Sequence, residues 1–162
     1  MQSKEFRFQM DVYDSLELLA QEDASLLRLA GEAAEKAYAP YSRFRVGAAG
    51  KMKDGSVVTG SNQENASFPA GLCAERVLLA SASSLFPGMS IETIAISSLD
   101  ADGHSHDHPI SPCGICRQSL LEFQQRVKRP VRLILGGLRG KIYLIPDASF
   151  LLPLAFTGSD LM

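Results

Sequence analysis

"GLCAERV" (71–77) opens an apolar helical run, "VLLASASSLF" (77–86), with a thiol at Cys73 and a carboxylate at Glu75. A core helix has no use for either group in its first turn unless both meet something beyond its end. "PCGIC" (112–116) repeats the arrangement, with Cys113 and Cys116 opening a second apolar helix that runs to about Val127. In a first helical turn, residues three apart share a face, so both thiols point the same way. Free N–H groups and the positive end of the helix dipole favour thiolate there, the form that binds metal. Two helix starts can therefore converge on one cation. Three protein ligands with a fourth position open is the catalytic arrangement of zinc, whereas four ligands close a structural site. Glu75 carries a geometric condition. Two residues along a helix is about 200° of rotation, so Cys73 and Glu75 meet one ion only if it lies off the helix end. With that condition met, Cys73 anchors the metal and Glu75 handles the proton of its water.

Outward from these helices, the pattern alternates. "FRVGAAGKM" (44–52) and "SVVTGSN" (56–62) read as strands joined by a tight turn at Asp54-Gly55. "IETIAISSL" (91–99), "VRLILGG" (131–137) and "KIYLI" (141–145) are further strands, and "EFRFQMDVY" (5–13) pairs as a strand or lies extended. Residues from Ser15 to Tyr38 are helical, with a polar break at "AQED" (20–23) that divides them, and Pro40 ends the run. A polar loop, "DADGHSHDHPIS" (100–111), precedes the second cysteine motif, and a short helix starts at Asp147. The alternation predicts an α/β fold with helices layered on one mixed sheet. A single domain is expected, with residues 1–36 as an N-terminal extension and first helix packed on residues 37–162, which hold both cysteine motifs.

Composition narrows the function. The 162 residues are 46% hydrophobic and 21% charged, with a net charge of −2. No apolar run is long enough to span a membrane and no secretory h-region opens the chain, so the expected setting is cytoplasmic. A slightly acidic chain lacks the basic excess a nucleic-acid binder needs to neutralise phosphates. Three cysteines, an odd number, make no disulfide framework.

A metal ligand-x-Glu followed by P-C-x-x-C is the signature of zinc deaminases acting on cytosine or adenine. The wider chain resembles the free-nucleoside cytidine deaminase family through "AYAPYSRFRVGAA" (37–49), "GSNQENASFPAGLCAER" (60–76), "SPCGICRQ" (111–118) and "LLPLAF" (151–156). The resemblance implies a three-layer sandwich with a mixed five-stranded sheet. It also implies one zinc ion per chain on Cys73, Cys113 and Cys116, with Glu75 as proton shuttle. The reaction would be attack of water on C4 of cytidine or deoxycytidine, giving the uracil nucleoside and ammonia in pyrimidine salvage. By the same resemblance Asn62 and Glu64 bind the ribose hydroxyls and Phe44 packs on the pyrimidine. The backbone at Ala66 and Ala74 reads the polar edge of the base, and Arg76 offsets the negative charge of three thiolates. Short-chain members are homotetramers with shared active sites, which would place Phe156 over a neighbour's substrate. This chain departs from the family at Phe68, where a tyrosine is usual, at Ser61, where a cysteine is common, and at Gly50, where a larger aliphatic residue is usual.

Two rival readings remain at this level. One is a deaminase of a modified cytosine nucleoside, similar to the blasticidin S deaminases. The other is a non-catalytic zinc domain in which His104, His106 or His108 closes the site as fourth ligand. The histidine loop is longer than the family's, and as a solvated polar segment it would hold no second metal.

Overall fold

The break expected at "AQED" is where the first long helix begins. In a computed structural model describing residues 1–161, Leu16–Leu18 form a 3-10 turn, Ala20 is extended at the cap, and α1 spans Gln21–Glu35. Met162, the last residue of the assigned domain, lies outside the described residues. Glu22 and Asp23 occupy the first turn of α1, where negative charge complements the helix dipole. Leu26, Leu27, Ala30, Ala33 and Ala34 recur at helical spacing and are buried.

The sheet is built from β1 (Asp11–Tyr13), β2 (Arg45–Met52), β3 (Val57–Ser61), β4 (Ile91–Leu99), β5 (Arg132–Gly136) and β6 (Ile142–Ile145). Its order is β1-β6-β5-β4-β2-β3, with β4 and β5 parallel and every other pairing antiparallel. It therefore has six strands where the resemblance implies five. The extra strand is the last third of the alternating segment 5–13: Asp11–Tyr13 pair with Leu144–Ile142 and satisfy backbone groups on the outer edge of β6.

Two further helices, α2 (Ala74–Leu85) and α3 (Gly114–Val127), lie opposite α1 and complete three layers. Alternation along the central strands assigns the faces. Ile94, Ile96, Leu133 and Leu135 join the core under α2 and α3. Ala95 and Ile134, one position away, join Leu27 and Ala30 of α1. Two glycines set how closely the helices approach. A Cβ on Gly47 would stand 2.0 Å from the Ala30 carbonyl oxygen, and one on Gly60 would stand 2.5 Å from the Ala74 carbonyl oxygen. Small residues in β2 and β3 thus seat α1 and the start of α2 directly on backbone.

Two ion pairs tie the α1 layer to the sheet, the exposed Glu22–Lys51 pair on β2 and a more buried one on β5. Buried Asp23 accepts from both terminal guanidinium nitrogens of Arg132 on β5. Asp23→Ala leaves that cation half-buried without its partner. A loss of roughly 2–4 kcal/mol is expected, read as a lower midpoint in urea unfolding with an unchanged m-value.

Candidate active site

Cys73 and Cys113 are not inside their helices, as the sequence pattern suggests, but cap them. Cys73 has φ −74° and ψ 154°, Cys113 has φ −68° and ψ 169°, and the helices begin one residue later. This extended backbone relieves the rotation problem at Glu75. A cap residue is not bound to the 100° step, so its sulfur swings ahead of the helix end while Glu75 lies in the first turn. Cys116, in the first turn of α3 and fully buried, completes the set.

The three sulfurs fit a zinc ion. The Cys73 and Cys113 Sγ atoms are 3.8 Å apart, those of Cys113 and Cys116 are 3.6 Å apart, and all three lie within 4.8 Å of one another. Tetrahedral zinc with Zn–S bonds near 2.3 Å separates its sulfurs by about 3.8 Å. Among the described residues no histidine joins this cluster, so the closed four-ligand site has no fourth side chain here.

Charge behaviour points the same way. A hydrogen bond from the Cys116 thiol, assisted by Cys113 and the Arg76 charge, brings Cys73 down to about 6 against the opposing effects of burial and Glu75. Cys116 is pushed up, first by donating to Cys73 and then by burial. Neighbouring thiols resist ionising together unless a cation compensates them, as expected of metal ligands. Glu75 is 5% exposed, and burial raises its pKa against hydrogen bonds from the backbone and Cys116. Arg76 acts on Cys73 through its charge and lines the same cavity.

That cavity, about 500 Å³, opens over the thiols. Phe44, Val46, Ile96 and Ile110 give it apolar walls, while Asn62, Glu64 and Glu75 supply polar groups. Its size and mixed lining suit a small polar-edged ring compound. Ala74, fully buried, borders it at the first turn of α2. Asn62 Oδ1 accepts from Val46 N at 2.7 Å, and its Nδ2 donates to the Phe44 carbonyl at 3.0 Å. Glu64 accepts from Tyr41 N, Ser42 N and the Ser42 hydroxyl, which together hold its pKa low. The two residues therefore fix the segment carrying Phe44 as well as facing the cavity. Ala66 lies exposed outside the lining, and so does Phe156, a residue 61% exposed.

Some contributors escape the motif reading. Arg117 donates from Nε to the Pro112 carbonyl and from Nη1 to the Leu151 carbonyl, and Gln118 donates to the Phe156 carbonyl. They clamp the C-terminal segment against the start of α3. Their positions in "PCGICRQ" were the available signal, but a partner more than thirty residues away is not visible in sequence. Val46, Ile96 and Ile110 were equally hidden, since an apolar strand residue reads first as core.

The comparisons with known proteins agree with this arrangement. Residues 20–131 match the family described as cytidine and deoxycytidylate deaminase zinc-binding region. The chain is 45% identical to a cytidine deaminase of Halalkalibacterium halodurans over 136 residues, covering 84% of this chain and 95% of that one. It is 42% identical to one from Mycobacterium tuberculosis over 106 residues, 64% of this chain and 74% of that one. The solved structure of a Burkholderia pseudomallei cytidine deaminase superposes with a TM-score of 0.71 at 38% identity, over 85% of this chain and all of the other. On sequence and on fold, this chain belongs to the cytidine and deoxycytidylate deaminase family.

Proposed function

We propose that the protein hydrolyses the C4 amino group of cytidine or deoxycytidine, releasing ammonia and the uracil nucleoside, as an enzyme of pyrimidine salvage. The observation that carries this reading is a buried carboxyl, Glu75, beside three zinc-spaced thiols at the floor of an apolar-walled cavity. Cys73, Cys113 and Cys116 would hold zinc, which when bound would supply Lewis-acid activation of water near neutral pH. Glu75 takes the proton of that water and passes it to the base nitrogen and the departing amine. Burial raises the pKa of this carboxyl above the ordinary carboxylate range. Arg76 offsets part of the negative charge of the thiolates.

The nucleoside is placed by its two ends. Phe44, Val46 and Ile96 sandwich the pyrimidine and exclude water. The N–H of Ala74 is in the first turn of α2, where backbone donors have no intrahelical acceptor, and it meets the polar edge of the base. Asn62 and Glu64, oriented by the bonds described above, keep capacity for sugar hydroxyls. Exposed Phe68, Ile115, Leu154 and Phe156 form apolar surface suited to burial between subunits. Phe156 would then cover a neighbour's substrate in a homotetramer. Among the described residues no helix is long and apolar enough to cross a membrane, and a cytoplasmic location is part of the proposal.

The test is zinc analysis together with the absorbance change on deamination of cytidine and deoxycytidine. The expected result is one zinc per chain with turnover, retained when His104, His106 and His108 are together replaced by alanine. Bound zinc with no turnover of either nucleoside would reject the reading.

A further inference from the structure

The histidine loop is largely exposed, as its composition suggests, but its middle is docked. Its backbone lies flat on the turn between β5 and β6, where a Cβ on Gly137 would fall 1.7 Å from the His106 carbonyl oxygen. One on Gly140 would fall 1.9 Å from that of Asp107. Leu138 N donates to the Ser105 hydroxyl at 2.7 Å, closing the contact from the other side. Within this fixed loop, His106 is tied twice to β4. Its N–H donates to the Ser98 carbonyl at 3.2 Å, and its Nδ1 is 3.0 Å from the Ser98 hydroxyl. Ser98 is 1% exposed, so the imidazole hangs from a rigid strand.

The held imidazole packs on Phe44. Their ring centroids are 5.3 Å apart at 47°, and His108 stands edge-on to His106 at 5.5 Å. Phe44 lines the cavity, while His106 does not reach it. The backbone of Phe44 is fixed by Ser42 and Asn62, but those bonds leave the ring its side-chain rotations. His106 supplies the surface that restricts them.

We infer that His106 is a positioning residue, a rigid shelf behind Phe44 that presets this ring as a wall of the cavity and so raises affinity for the base. The inference rests on the deaminase reading. A ring already in place spares the substrate the cost of ordering it, which affects binding and the transition state alike. His106→Ala should therefore raise KM about three- to tenfold, the range of an aromatic pair. Its kcat should stay within about twofold. His106→Phe, which keeps an aromatic surface, should restore KM.

A second readout does not depend on activity. The chain has no tryptophan, so Phe44→Trp introduces a single probe at this wall. Adding His106→Ala to that variant should increase acrylamide quenching of the probe, and His106→Phe should reverse the increase. Unchanged KM and unchanged quenching would overturn the inference. So would a fall in kcat and melting temperature that His106→Phe leaves uncorrected, because that pattern marks general loss of structure. If the wild-type chain turned over neither nucleoside, the deaminase reading would fail, and the quenching comparison would still decide whether His106 restrains the ring.

Discussion

Glu75→Gln is expected to lower kcat for cytidine by about 10²–10⁴-fold while the zinc content and melting temperature stay at wild-type values. The separation follows from where the residue sits. Glu75 is beside the thiols without being one of the three, so the metal loses no ligand. An amide fills the same buried space and can keep a hydrogen bond to Cys116, so no cavity opens. What the amide lacks is basicity, and proton transfer takes place in the transition state. The loss should therefore fall on kcat with KM little changed. Metal analysis and steady-state kinetics on one preparation check it. A variant with normal turnover would show that another group moves the proton.

The second large effect is expected at a residue with no chemistry of its own. Gly60→Ala adds one carbon, which would stand 2.5 Å from both the Ala74 carbonyl oxygen and the Leu78 amide nitrogen. Backbone atoms cannot rotate out of the way, so the start of α2 must move. Overpacking of this kind costs about 1–3 kcal/mol, which for a chain of this size lowers Tm by roughly 3–10 °C. The displaced turn carries Glu75 and follows Cys73, so zinc affinity and kcat should fall with it. Thermal melts and competition with a metal indicator measure the two losses. A stable Gly60→Ala protein with full zinc affinity would show that α2 has slack the packing does not suggest.

The three-thiol cluster was legible because cysteine is scarce here, and two motifs at helix starts leave few ways to arrange three thiols. The strands were legible because runs such as Ile91–Leu99 are rich in β-branched residues, and this one is almost wholly buried. What stayed hidden depends on partners distant in sequence. Residues 5–13 alternate throughout, yet only Asp11–Tyr13 find an edge to pair with. Cys73 and Cys113 read as helical, but the cap position that frees their sulfurs is decided by the preceding backbone. "DADGHSHDHPIS" looks like loop by composition, and only the glycines at 137 and 140 disclose the surface against which it is docked.

The spacing of the thiols along the chain has a consequence for folding. Cys73 and Cys113 are separated by 40 positions, and a metal bound to both closes that stretch into a ring. Ring closure of this length removes conformational freedom from the unfolded chain much as a disulfide does, worth about 4 kcal/mol on the chain-entropy scale. The benefit is lopsided. Such a metal would staple α2 to α3 on one side of the sheet, whereas α1 on the other is held by its own apolar contacts and the Asp23–Arg132 and Glu22–Lys51 pairs. Stripped of metal, the protein should therefore open first as a book opens, the α2–α3 cover lifting while the α1 cover stays shut.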